Sequence, residues 1–320
     1  MKEKSNILIF TAGSLGDSLS RVPAMRSIRS LHPDKLVYVL TNSPSKNNVP
    51  SGKGVYILLK LVNEVFEYKV DLIFFKKWFF LRKILKDRSI GIVYNLMPER
   101  TVYQRTRDKL FFYTAGVRKI VGLNAYTKEG QPEWQRLLAI NNLNQEVRLE
   151  DFRLDIPLSK IEQAYRKFGL NEEYKLVVSV GTTKSWAQWD QEKWVQLLSR
   201  LYLSTGVKIV FIGSAGDWSS TELIIKKSNI DAKNLCGKTT ISESYSILSK
   251  VNRFLGYDSG PMHLAVSSKC RIISIFSDHA VVGKWYPFGQ EDNVIRVADG
   301  QNVNSIELER VWSKLLQIMA

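Results

Sequence analysis

Short runs dominated by apolar residues, each closed by a polar or glycine-bearing turn and followed by an amphipathic stretch, constrain this chain more than any other feature. Such runs stand at 7–10, 36–40, 90–96, 176–180, 207–212 and 272–276. A run without polar alternation suits a strand covered on both faces, as in a parallel sheet. Behind the first run, Leu19, Val22, Pro23, Met25, Ile28 and Leu31 recur at near-helical spacing. Strand and helix alternate in both halves of the chain, so each half is expected to form a doubly wound parallel α/β sheet. A length of 320 residues fits two such domains. The segment around Asp155-Ile156-Pro157-Leu158 reads as their connection.

Ligands of open α/β sheets bind at the carboxyl ends of the strands, which directs attention to the turns. The first is Gly13-Ser14-Leu15-Gly16-Asp17. It lacks the G-x-G-x-x-G spacing, and Thr41-Asn42-Ser43 stands where a ribose-binding acid would follow the second strand. It also lacks the Lys-Ser or Lys-Thr of a P-loop. These absences argue against a nicotinamide oxidoreductase. What the turn offers is one carboxylate, Asp17, either as a helix cap or as a reactive group.

The second turn, Asp258-Ser259-Gly260-Pro261-Met262-His263, runs from an apolar strand into a helix. Pro261 suits a first helical position because its missing N–H costs nothing there. Ser259 or Gly260 is then the cap. The exposed amides and helix dipole make a seat for a phosphate or diphosphate. A third polar loop, Gly181-Thr182-Thr183-Lys184, leads to Trp189, and Asp190 caps the next helix. Trp189 and Trp285 read as core or framing aromatics rather than base-stacking groups.

The formal net charge of +15 points to anionic partners without choosing among nucleic acid, membrane and phosphorylated ligand. No nucleic-acid module is recognised. The two cysteines, Cys236 and Cys270, form no disulfide framework. His32, His263 and His279 are scattered, and no metal-ligand spacing is present. The apolar run near the N-terminus is too short for a signal peptide or a membrane span, so a cytoplasmic protein is expected. The stretch 70–86 places Lys76, Lys77, Lys83 and Lys86 on one helical side among aromatic and aliphatic residues. It reads first as a core helix with a solvated lysine stripe and second as a face for an anionic membrane. Arg100, Arg105, Arg107 and Lys109 follow, either as anion ligands or as a solvated face.

Three stretches coincide in order and spacing: Gly13 to Asp17 with Pro23-Ala24-Met25-Arg26 behind it, Gly181 to Lys184 with Trp189, and Leu235-Cys236-Gly237-Lys238-Thr239 followed by Asp258 to His263 and Trp285-Tyr286-Pro287. Together they resemble glycosyltransferase family 9, the lipopolysaccharide heptosyltransferases. The resemblance implies a GT-B fold of two Rossmann-like domains facing a central cleft. It implies an acceptor-binding domain over 1–157, a nucleotide-sugar-binding domain over 158–303, and a helix at 304–320 packing back on the first domain. It further implies an inverting, metal-independent transfer of a sugar to a glycan hydroxyl, with Asp17 as general base beside Gly13, Ser14 and Gly16. Thr182, Thr183, Lys184, Asp258, Ser259, Gly260, Pro261 and His263 would bind the donor, a nucleoside-diphosphate sugar such as ADP-heptose, and no cofactor is needed. Ala187 stands where inner-core members often carry a phosphate-binding lysine, with Lys184 earlier in the loop, and the sugar and base stay open. The expected setting is a monomer, peripheral at the cytoplasmic face of the inner membrane, with a lipopolysaccharide or lipid-linked acceptor and no nucleic acid. The competing reading is a non-catalytic basic protein that binds nucleic acid or an anionic membrane surface.

Overall fold

A computed structural model describes residues 6–43, 52–68, 74–124, 130–182 and 187–320, with 74–77 described by backbone alone. The chain divides into two compact units, Met1–Asp155 and Ile156–Ala320. The first contains β1 (Asn6–Phe10), α1 (Leu15–Ser20), α2 (Val22–Leu31), β2 (Val37–Asn42), α3 (Lys53–Tyr56), β3 (Glu64–Tyr68), α4 (Phe74–Asp87), β4 (Ile90–Asn95), α5 (Val102–Thr114), β5 (Lys119–Val121) and α6 (Glu133–Ile140). The second contains α7 (Leu158–Lys167), β6 (Tyr174–Ser179), α8 (Gln191–Thr205), β7 (Lys208–Phe211), α9 (Trp218–Ser228), β8 (Ala232–Asn234), α10 (Ile241–Val251), β9 (Arg253–Tyr257), α11 (Gly260–Ser267), β10 (Arg271–Phe276), β11 (Val294–Arg296) and α12 (Leu308–Met319).

The first sheet has the order β3-β2-β1-β4-β5 and the second β11-β10-β9-β6-β7-β8. Every described strand pair is parallel, with Leu8 opposite both Tyr38 and Val93, and Val178 opposite both Phe211 and Leu255. Ile7, Leu8 and Ile9 are fully buried in succession, as are Leu176, Val177 and Val178. Successive strand residues point to opposite faces, so helices must cover both. In both orders the chain reverses direction beside its first strand: between β1 and β4 in the first sheet, and between β6 and β9 in the second. Those two positions are the switch points at which loops part and leave a crevice.

The near-helical stretch 19–31 is two helices rather than one, joined at Arg21. Pro23 has no N–H to give to the carbonyl of Leu19, and its ring would crowd that carbonyl, so the ladder breaks there. Arg21 is completely buried at this joint. Its Nε donates to the Leu96 carbonyl at 2.7 Å and its Nη2 to the Ala12 carbonyl at 2.7 Å, tying the ends of β4 and β1 together across the switch point.

Helix α12 completes the core of the second unit. Its buried residues Val311, Trp312, Leu315 and Ile318 belong to the core of the second unit, with Leu197 and Leu201 of α8 and Ile273 and Ile275 of β10. Arg253 Nε donates to the Ile318 carbonyl at 2.6 Å, and the Arg200 guanidinium lies 4.3 Å from the Trp312 ring. The apolar stripe of this helix is thus buried in its own unit. The division between the units falls after Asp155, two residues ahead of the expected boundary. Among the described residues no helix is long and apolar enough to cross a membrane.

Candidate active site

Asp17 sits in the first turn of α1, immediately beyond the carboxyl end of β1. Ser14 is the N-cap, with extended backbone. Its backbone N–H and its hydroxyl both donate to Asp17 Oδ2, each at 2.8 Å. The described hydrogen bonds of this carboxylate thus fall on one oxygen, and Oδ1 is left for another donor. Asp17 is half-buried while Gly16, Ser18 and Leu19 beside it are buried. The side chain folds back over Gly13, where an added Cβ would lie 2.5 Å from Asp17 Cβ. Gly13 also has φ of +149°, a conformation that glycine adopts freely and other residues rarely do. The N–H of Gly13 donates to Asn42 Oδ1 at 2.9 Å, anchoring the turn to the end of β2.

In the second unit the expected donor residues gather at one sheet edge. Gly181 and Thr182 follow β6, and 258–263 follow β9, so they flank the switch point from its two sides. Ser259 is the N-cap of α11, Gly260 the first helical residue and Pro261 the second, one position later than expected. No side chain caps this helix: Ser259 Oγ turns back to the Tyr257 carbonyl at 3.3 Å. Pro261 has no N–H and the Met262 N–H goes to the Ser259 carbonyl at 3.1 Å, so the Gly260 N–H is the first-turn amide presented at the positive end of the helix dipole. The Asp258 N–H is fixed to the Ile275 carbonyl at 3.2 Å. His263 lies one turn in, half-buried, with its ring edge-on to Trp285 at 5.9 Å between centroids. Thr183 and Lys184 lie outside the described residues.

Trp189 is a core residue. Its backbone N–H donates to Tyr257 Oη at 2.7 Å, and its indole N–H to the Ile306 carbonyl at 3.0 Å. The indole of Trp194 also donates to Tyr257 Oη, at 2.8 Å. Burial pushes the Tyr257 phenol up to about 12, so it stays protonated. This buried network sets the base of the strand that carries 258–263.

One residue escaped sequence reasoning. Asp217 follows β7 in Gly213-Ser214-Ala215-Gly216-Asp217, which repeats the pattern of residues 13–17. The geometry repeats as well: the Ser214 N–H and hydroxyl both donate to Asp217 Oδ2, each at 2.7 Å. A Cβ on Gly181 would lie 2.2 Å from this carboxylate, so the glycine that opens the 181–184 loop is also what gives Asp217 its place. Comparing the two halves of the sequence would have found it. Behind it, burial pushes the Cys236 thiol up to about 11, which leaves that cysteine unreactive. Among the described residues no group of three His, Cys, Asp or Glu side chains is placed to hold a metal ion.

Two parallel α/β sheets, one with a carboxylate-bearing turn and the other with an anion-ready helix start at its switch point, define a GT-B glycosyltransferase class of fold. The sequence profile of "Glycosyltransferase family 9 (heptosyltransferase)" matches residues 122–314, and the chain belongs to that family. Among curated proteins it is 28% identical over 160 residues to lipooligosaccharide heptosyltransferase 2 of Campylobacter jejuni, a match that spans 48% of each chain, or about half the relative's length. Among solved structures it superposes on a glycosyl transferase family 9 protein of Veillonella parvula with a TM-score of 0.75 at 16% identity, over 100% of this chain and 98% of the other. It superposes equally, with a TM-score of 0.75 at 16% identity over 98% of both chains, on the Escherichia coli ADP-heptose lps heptosyltransferase II. These structural likenesses establish the fold.

Proposed function

We propose that this chain is an inverting glycosyltransferase that moves heptose from ADP-heptose to a hydroxyl of a lipopolysaccharide core or related glycan acceptor, without a metal. The first unit would bind the acceptor and the second the donor. The observation that carries the reading is Asp17: a carboxylate at the carboxyl edge of a parallel sheet, one oxygen held by Ser14 and the other uncommitted. Family membership and the heptosyl transfer named for the relatives support it.

In this mechanism Asp17 Oδ1 takes the proton of the acceptor hydroxyl as that oxygen attacks the anomeric carbon. The bond from the anomeric carbon to the diphosphate oxygen breaks on the opposite side, which inverts the centre. The electron pair leaves with the nucleoside diphosphate. Negative charge growing there is met by the Gly260 amide and the positive end of the α11 dipole, by His263 and Thr182, and by Thr183 and Lys184 of the same loop. Asp258 holds the turn or the donor sugar. A donor fixed before reaction spends no reorganisation, and one such donor is worth on the order of 3 kcal/mol of barrier. The protein is proposed to act as a peripheral monomer at the cytoplasmic face of the inner membrane.

Asp17→Asn is expected to lower the rate of transfer about 100-fold or more while calorimetric binding of ADP-heptose stays within a factor of three. Undiminished turnover by that variant would remove Asp17 from the mechanism. A panel of nucleotide sugars, read by thermal shift, tests the donor. The competing reading, a non-catalytic basic binding protein, draws on charge alone and is not favoured by membership of an enzyme family.

A further inference from the structure

We propose that the exposed face shared by α4 and α5 is a docking surface for an anionic lipid bilayer. Large apolar side chains concentrate there. Phe79 is 65% exposed, Tyr103 75%, Leu110 61% and Tyr113 65%, with Phe80 and Val102 exposed beside them. Large exposed apolar side chains gathered on two neighbouring helices mark an interaction surface, where single scattered apolar residues mark nothing. The two helices are neighbours. Trp78 Nε1 donates to Thr114 Oγ1 at 3.1 Å, and Arg82 reaches the Thr114 carbonyl while lying 5.2 Å from the Trp78 ring. The patch is not a misplaced core stripe, because Leu81, Ile84 and Leu85 of α4 and Phe112 of α5 already fill the core of the first unit.

Charge selects the occupant. Arg82, Lys83 and Lys86 on α4 and Arg107 and Lys109 on α5 are exposed among these aromatics. Lys83, Lys86 and Lys109 make no ion pair among the described residues. Asp108, the acid within α5, is buried and neutralised by Arg107 at 2.8 Å and Arg100 at 3.5 Å. The surface therefore carries aromatic and aliphatic groups among cations of which Lys83, Lys86 and Lys109 make no ion pair with described residues, against one exposed acid, Asp87. An interfacial helix needs that composition: apolar groups enter the headgroup region while lysine and arginine stems reach back to lipid phosphates. A nucleic acid would stack on the aromatic rings and pair with the cations but leave the exposed aliphatic Val102 and Leu110 unused, whereas a bilayer takes both kinds of apolar group.

The inference concerns the membrane named in the proposed setting but is tested without sugar transfer. The full chain is sedimented with vesicles of phosphatidylcholine alone or with 30 mol% phosphatidylglycerol. Wild type is expected to bind the anionic vesicles at least tenfold more tightly than the neutral ones, with the difference lost at high salt. Phe79→Ser with Tyr113→Ser, and separately Lys83→Glu with Lys86→Glu and Lys109→Glu, should each weaken binding at least tenfold without a change in melting temperature. Equal binding of wild type and both variants to anionic vesicles would overturn the proposal. So would wild-type binding that ignores lipid charge, or loss of single-stranded oligonucleotide binding in the variants while vesicle binding persists. Loss of transfer in Asp17→Asn leaves these outcomes untouched, so the two readings fail separately.

Discussion

Asp17 owes its placement to a residue with no side chain. A methyl group at position 13 would meet the Asp17 side chain at less than van der Waals distance on backbone that alanine rarely adopts. Gly13→Ala should therefore lower the transfer rate at least tenfold, in proportion to displacement of the carboxylate rather than to loss of fold. An unchanged far-UV spectrum together with impaired turnover is the expected result, and full activity would show that the turn relaxes without moving Asp17. At this scale the sequence was readable where a residue type has one physical use. Gly13, Asp17, Ser259 and Asp190 stand in turns or caps where their chemistry put them, although Pro261 came one position later in its helix. Arg21 was not readable. An arginine in an amphipathic stretch looks like surface, and only the break at Pro23 turns it inward to bind the Ala12 and Leu96 carbonyls. Asp217 was readable but only by comparison with residues 13–17, since an acid after a Gly-Ser pair has too many other uses alone.

Among elements, buried strands were legible; of the edge strands, 116–122 reads as one and holds β5, whereas β3 was not legible. The runs of β1, β4, β6, β7, β9 and β10 are dominated by apolar residues because helices cover both faces, and that pattern survives in a single sequence. β3, with Glu64-Val65-Phe66-Glu67-Tyr68, lies at the sheet edge with every residue half-buried, and its alternating pattern carries little signal. α5 and α6 were missed for a related reason: Tyr, Arg and Thr on the outer face of α5 blur the helical period that Phe112 alone keeps on the inner one. Helix α8 was found through its cap. Asp190 Oδ1 accepts the Glu192 N–H at 3.0 Å. Asp190→Ala is expected to cost about 1 kcal/mol of stability, measurable by urea denaturation as a shift in midpoint with unchanged slope. A neutral result would mean that tertiary packing through Trp194, Leu197 and Leu201 fixes this helix start without the cap.

At the scale of the whole chain, each unit has an interior of its own. The second gathers Val178, Leu198, Leu255, Ile273 and Leu315 into one continuous core, closed by α12. Residues 156–320 alone should therefore fold, giving one cooperative thermal transition and a mixed helix–strand spectrum. A fragment that stays unfolded would show that the core is incomplete without the rest of the chain. The division into two α/β halves was plain from the alternation of runs, but the destination of the last helix was not. An amphipathic stripe states that a helix packs, not on what. The twofold use of one turn has a wider consequence. Gly-Ser-x-Gly-Asp holds its carboxylate with the same two hydrogen bonds after β1 and after β7, in surroundings that otherwise differ. It behaves as a recurring part, whose two hydrogen bonds come from five consecutive residues while the host supplies the room and the anchor, Gly181 beside Asp217 and Asn42 beside Gly13. Grafted after a strand of an unrelated parallel sheet, it would present an acid at the ligand-binding rim, a starting point for building a base-catalysed site where none exists.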